Sequence, residues 1–350
     1  MRESRKLDHL KYAMLLPDGP SDNSFNDMEL IHNCMPEFNY EDISLNSNLL
    51  DLNLHNPIII NAITGGADDV LTINKSLAKV AKATNCAIAV GSQYAGIENE
   101  LVRSSYEIVR EANPEGIVIA NLGAYAKVDD AKNAIEMRQA NALQIHLNVG
   151  QEIIMPEGDR HFANYFANIM SIIKEVDIPV IIIEVGCGIA TVQAENLLTA
   201  GAKIFDVGGK GGTNFIAIEA RRNENEISND FLNWGIPTLI SALEVKSVLT
   251  AEMELIISGG IRKSLDIVKA LTIGASAVGI AKPFVEKISN DGVTKTIYWV
   301  EELLEDIKKY MLLMGADNLQ KLKNKPFVVN GNTGKWLELR GIDLKGFAGR

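Results

Sequence analysis

Eight short apolar runs, each tipped with small or polar residues, recur along this chain and constrain its fold more than any other feature. From Asn56 onward they read PIIINAITGG, CAIAVGSQ, GIVIANLG, ALQIHLN, PVIIIEVG, AKIFDVGGKGGT, ELIISGGIR and ASAVGIAKPF. Near-continuous apolar runs of this length fit strands buried on both faces, as in a parallel sheet. Amphipathic stretches separate them and predict helices over Asn74 to Thr84, Asp129 to Ala140 and Phe162 to Val176. A ninth candidate, PTLISALEV, reads as a helix with Pro237 in its first turn, because its apolar pattern continues through Leu243 and Val248 without a breaker. Eight strand and helix units predict an α/β fold, the parallel TIM (β/α)8 barrel, whose core typically needs about 250 residues.

A doubly wound sheet is the rival, but the GxGxxG turn after a first strand is missing, and ITGG is a poor substitute. No Walker motif, GxSxG elbow or HExxH occurs either. At 350 residues with 47% hydrophobic content, one large domain is the better expectation than two. Its parts would be an amino-terminal segment over residues 1–55 folding across the barrel mouth, the barrel over 56–340 and a tail over 341–350.

The net charge of −11, without a long basic run, argues against nucleic acid and anionic membrane surfaces, and leaves an anionic small substrate open through local positive groups. The cysteines Cys34, Cys86 and Cys187 lie far apart with no CxxC pair, which fits a reducing cytoplasm and neither disulfides nor zinc. The charged start MRESRKLDHLKYAM and the lack of any run of about eighteen apolar residues predict a soluble cytoplasmic protein that neither is secreted nor spans a membrane.

Polar chemistry concentrates in Ala142 to Arg160. Alternation sets Leu143 and Ile145 on one face of a strand and Gln144 and His146 on the other, and the strand then runs into an active-site loop with no helical period. Taken singly, Glu157, Asp159 and Arg160 read as ordinary solvated charge. Gln151 and Glu152, just past a strand end, suit a hard cation such as Mg2+. Near the amino terminus, Arg5, Lys6, Asp8 and His9 read by composition as a basic tail, or else as a tail that brings two cations to a phosphate.

Late strand tips carry glycines: Gly211, Gly212 and Thr213, then Gly259, Gly260, Ile261 and Arg262, then Gly279, Ile280 and Ala281. Each alone reads as a tight turn; three on adjacent strands make a cradle of backbone N–H groups for an anion. Early strands end in Thr64, Ser92 with Gln93, and Asn121, small hydrogen-bonding groups suited to the edge of a flat heteroaromatic ring. A flavin mononucleotide, FMN, meets both demands.

Taken in order, RKLDH, NAITGG, GSQ, NLG, LQIHLNxxQE, MPEGDR, DVGGKGGTNF, SGGIR and GIAKPF resemble the type 2 isopentenyl diphosphate isomerases over nearly the whole chain. That resemblance implies a redox-neutral interconversion of isopentenyl and dimethylallyl diphosphate on reduced FMN, with NAD(P)H as priming reductant, Mg2+ on the diphosphate, and a homo-oligomer, tetramer or octamer. It assigns Arg5 and Lys6 to the diphosphate with His9 close by, His146, Asn148 and Gln151 to the substrate, and Glu152 to the metal. Flavin contacts would be Ala62, Ile63, Thr64, Ser92, Asn121, Thr213, Gly259, Gly260, Ile261, Ile280 and Ala281.

The resemblance breaks at Ile183, where the family usually carries a lysine against the flavin. A cation there would stabilise the negative charge of the reduced ring, so its loss predicts slow turnover unless Lys210 or Lys282 compensates. Rival readings are an FMN-dependent oxidoreductase such as a 2-hydroxy acid oxidase, weakened because no His follows His161, and a weakly active or non-catalytic flavin or prenyl diphosphate binder. An inosine monophosphate dehydrogenase-like barrel would need Cys187 as nucleophile, yet EVGCGI offers no adjacent base, and a small buried thiol fits better.

Overall fold

The computed structural model describes residues 2–17, 22–67 and 70–350, with the side chains of residues 2–7 outside that description. Eight parallel strands form a closed barrel. They are β1 (Ile58–Ile60), β2 (Ala87–Ala89), β3 (Val118–Gly123), β4 (Ala142–Leu147), β5 (Val180–Glu184), β6 (Ile204–Asp206), β7 (Glu254–Ser258) and β8 (Ala277–Ile280). Each pairs with its sequence neighbours, and β8 closes on β1 through Val278↔Ile58, Gly279↔Ile59 and Ile280↔Ile60. The eight apolar runs are these eight strands. PTLISALEV is the helix Thr238–Lys246 with Pro237 as its N-cap.

Alternation within the strands builds two cores. One set of side chains packs outward beneath the surrounding helices, including Ile58, Ile88, Leu143, Ile145, Ile182 and Phe205. The other fills the barrel floor with Ile59, Ala87, Ile119, Ala142, Ile181, Ile204 and Ile256, closed below by Leu49 and Leu54 from the hairpin Ser47–Leu49 and Leu52–Leu54. Above that floor the inward residues turn polar: Asn61, Asn121, Gln144 and Asp206 are all buried. Stacked interior layers are how small barrels fill themselves, and a polar layer at the carboxyl end marks where this one changes from packing to chemistry.

The amino-terminal segment begins with the helix Arg2–Leu15. It is tied down by the antiparallel pairing of Met28–Leu30 with Phe327–Val329. Asn23 donates to the Gly260 carbonyl (2.7 Å), and the Lys269 ammonium donates to that of Phe25 (2.8 Å). At the other end of the chain, the short helix Leu344–Ala348 brings Phe347 to stack on Phe327 (5.0 Å), with the Arg350 guanidinium over Phe347 (4.5 Å). No helix among the described residues is long and apolar enough to cross a membrane.

Candidate active site

The polar tips of the strands open on a continuous cavity with two halves that share Ala62, Ile63, Ile183, Val185 and Phe215 as a wall. One half, about 840 Å³, is lined by His9, Ser92, Asn121, His146, Asn148, Gln151 and Glu152. The other, about 580 Å³, is lined by Gly208, Gly209, Gly259, Gly260, Arg262, Gly279 and Lys282.

In the first half the chain after β4 is not a loop. Val149–Ile154 is a helix of six residues, so Gln151 and Glu152 sit on one turn and a half of helix. Six residues with two polar side chains leave too short a stretch for a 3.6-residue period to show. Glu152 is 9% exposed; its Oε1 accepts from Asn148 Nδ2 (2.8 Å) and its Oε2 from the Asp159 backbone N–H (2.8 Å). Arg160 is not ordinary solvated charge: its guanidinium donates to the carbonyls of Glu152 (2.6 Å) and Met155 (2.7 Å), clamping the turn that follows the helix. Nor is Glu157, which pairs with Arg222, nor Asp159, whose backbone holds Glu152.

Glu219 gave no sign in the sequence, because Phe215–Arg222 reads as a plain amphipathic helix. The structure makes it a hub. Its buried carboxylate takes His9 Nε2 (2.6 Å) and Gln151 Nε2 (2.8 Å) on Oε1 and Arg222 Nε (2.8 Å) on Oε2. Burial raises such a carboxyl's pKa, but the bonds from His9, Gln151 and Arg222 outweigh it and hold Glu219 at about 2. One anionic residue of the helix Phe215–Arg222 thereby joins it to the amino-terminal helix and to the short helix after β4.

In the second half, backbone approaches are so close that only glycine fits. A Cβ on Gly208 (φ 44°) would lie 1.6 Å from the Glu184 carbonyl oxygen, and one on Gly260 (φ 81°) 2.2 Å from that of Gly211. The lining glycines of the β6 loop are Gly208 and Gly209. Gly211 and Gly212 line an adjoining pocket together with Thr213 and Phe215, and a Cβ on them would meet Asn23 and the Gly260 backbone N respectively. Of the eleven flavin contacts expected from sequence, nine line the cavity, Ala62, Ile63, Ser92, Asn121, Thr213, Gly259, Gly260, Ile280 and Ala281, and Ile183 lines it beside them. Thr64 and Ile261 are buried behind it. Arg5 and Lys6 fall on the helix Arg2–Leu15, and their side chains lie outside the described residues.

Ile183, 5% exposed, stands in register between His146 on β4 and Asp206 on β6. Lys210 donates to the Asn233 carbonyl (2.8 Å), away from this wall, and Lys282 donates to that of Leu16 (2.8 Å) at the glycine end. Both ammonium groups are thus engaged by carbonyls of other segments. Cys187 is partly buried, and burial together with the neighbouring Glu184 raises its thiol to about 12, the reverse of an activated nucleophile.

A closed parallel barrel with a glycine-lined cavity at its carboxyl end is the frame of the FMN-dependent barrel proteins. A family model described as FMN-dependent dehydrogenase matches residues 159–329. Among solved structures, a mandelate oxidase carrying a monooxide FMN adduct superposes with a TM-score of 0.67 at 14% identity, covering 94% of this chain and 99% of that one, which establishes the likeness of fold.

Sequence relatives are much nearer. An isopentenyl-diphosphate delta-isomerase of Geobacillus sp. (strain WCH70) is 43% identical over 350 residues, covering 100% of this chain and 99% of the relative. One of Staphylococcus haemolyticus (strain JCSC1435) is 40% identical over 343 residues, covering 98% of each. This chain belongs to the isopentenyl-diphosphate delta-isomerase family.

Proposed function

We propose that the chain interconverts isopentenyl and dimethylallyl diphosphate with reduced FMN held in the two-part cavity. Three buried polar atoms support a polar occupant: Thr64 Oγ1, Ser92 Oγ and Asn148 Oδ1 have no partner among the described residues, and such groups in folded proteins are normally bonded. Two of them, on Ser92 and Asn148, line the larger half. The glycine half supplies backbone N–H groups with Arg262 and Lys282 beside them, a set fitted to the cofactor's phosphate. Reduced FMN, when bound, would supply the proton donor and acceptor for the allylic carbons, with NAD(P)H as the primer that reduces it.

The protein's own contribution is placement. Ala62, Ile63, Ile183 and Val185 give an apolar wall between the halves, so the hydrocarbon end of a prenyl chain loses contact with water there. Glu152, oriented by Asn148 and the Asp159 N–H, offers one carboxylate for Mg2+, and phosphate oxygens with water would complete an octahedral shell. Gln151, on the same short helix as Glu152, donates its amide to Glu219 on the helix Phe215–Arg222, which fixes where that amide lies relative to the reacting carbons.

The observation that carries the reading is the juxtaposition of a metal-grade carboxylate with an FMN-sized, glycine-ended cavity. Incubating the purified protein with isopentenyl diphosphate, FMN, a reductant and Mg2+ in D2O tests it. Deuterium in both diphosphates without stoichiometric consumption of NAD(P)H is expected; peroxide formation or one reductant spent per turnover would sink it in favour of an oxidoreductase.

A further inference from the structure

The polar layer above the barrel floor is a single directional chain of hydrogen bonds. His146 Nδ1 lies 2.9 Å from Asn121 Oδ1. Asn121 Nδ2 donates to Gln144 Oε1 (3.0 Å), Gln144 Nε2 to Asn61 Oδ1 (2.9 Å), and Asn61 Nδ2 to Asp206 Oδ2 (2.8 Å). The chain crosses from β4 to β3, back to β4, on to the tip of β1 and finally to β6. No link stands next to another in sequence.

An amide has an oxygen end that accepts and a nitrogen end that donates, so fixing one amide in such a chain fixes the next. The far end is fixed twice. The Ala62 backbone N–H points at Asn61 Oδ1 (2.9 Å), which requires oxygen there. Asp206, 0% exposed, also receives the Ser258 hydroxyl and the Gly208 N–H (3.3 Å), so as a carboxylate it accepts from all three partners. Burial raises its pKa to about 6, which leaves it ionised at neutral pH. At the near end, the Asn121 backbone N–H donates to Gln93 Oε1 (3.0 Å), while Gln93 Nε2 donates to the Ala134 carbonyl (3.0 Å), holding the strand tip that carries Asn121.

We propose that this amide chain, anchored on Asp206 and the Ala62 N–H, imposes one tautomer on His146: Asn121 must present oxygen to the ring, so Nδ1 carries the hydrogen and Nε2 carries the lone pair. When the imidazole takes up a proton, that proton enters at Nε2. Asn61, Gln144 and Asp206 are therefore positioning residues, acting on the cavity through His146 from inside the barrel. The inference concerns the protein without substrate, so it stands or falls apart from the isomerase reading.

The chain has five histidines, few enough for selective labelling with 15N-histidine. Long-range 1H–15N correlation spectra of the substrate-free protein at about pH 8, where an unperturbed imidazole (pKa about 6.5) is neutral, report each ring's tautomer, and the His146→Asn variant identifies the His146 signals. One Nδ1–H form is expected. In Gln144→Met, which removes the acceptor for the Asn121 amide, both nitrogens should shift towards values averaged over the two tautomers. An Nε2–H ring or a mixture in the unmodified protein overturns the proposal, and so does a folded Gln144→Met with an unchanged pattern. Gln144→Glu keeps an acceptor for Asn121 and should keep the single Nδ1–H form; loss of it would count against the chain as described.

Discussion

Ile183 shows how much can turn on one side chain. It occupies the wall where both halves of the cavity meet, while the Lys210 and Lys282 ammonium groups donate to the carbonyls of Asn233 and Leu16. A cation in a poorly hydrated site stabilises developing negative charge by amounts worth roughly 10²-fold in rate. Ile183→Lys is expected to raise turnover with reduced FMN by about that order, measured on protein whose flavin content has been matched by absorbance. An equal or slower rate in a folded, flavin-loaded variant would remove the electrostatic account of this position.

Arg138 is a different case. Its side chain is 1% exposed, and none of its three guanidinium nitrogens has a hydrogen-bond partner among the described residues. Burial lowers its pKa to about 9. An unpaired buried charge costs stability, and Arg138→Met should return on the order of a few kcal/mol, read as a higher denaturant midpoint with activity retained. A lower midpoint would mean that the guanidinium has a partner these contacts omit.

Among the elements, strands were easier to read than the pieces that close the site. A parallel strand buried on both faces writes itself as an unbroken apolar run, which is why PVIIIEVG and ELIISGGIR could be placed without tertiary information. The helix Val149–Ile154 is shorter than two turns and carries its polar residues inward, so it left no periodic trace. Glu219 was invisible for another reason: its partner His9 lies 210 residues away, and nothing local distinguishes it from a surface glutamate. The bond between them tethers the amino-terminal helix to the helix Phe215–Arg222. His9→Ala should therefore raise KM several-fold with little loss of thermal stability and should speed amide exchange in Asp8–Leu15. Unchanged exchange would show that the helix is held by its apolar contacts alone.

Across the whole molecule, two buried carboxyls set how stability follows pH. Burial raises Glu184 to about 8 against the bonds it accepts from the Cys187 and Gly188 N–H groups, and raises Asp206 to about 6. A carboxyl whose folded pKa exceeds its unfolded value binds more protons in the native state, so its contribution is full below the unfolded value and drains away as pH climbs through the folded one. Denaturant midpoints should fall from about pH 5 to pH 8, by a few kcal/mol at most. Glu184→Gln, whose amide oxygen can still accept both N–H groups, should flatten the upper part of that slope. A midpoint that rises over the same range would reverse the assignment.

The ribbon between Met28–Leu30 and Phe327–Val329 has a bearing on biosynthesis. A ribosome delivers the first of these segments almost three hundred residues ahead of the second. Throughout that interval the early segment lacks its pairing partner, and all eight barrel strands, the last ending at Ile280, leave the ribosome before the ribbon can form.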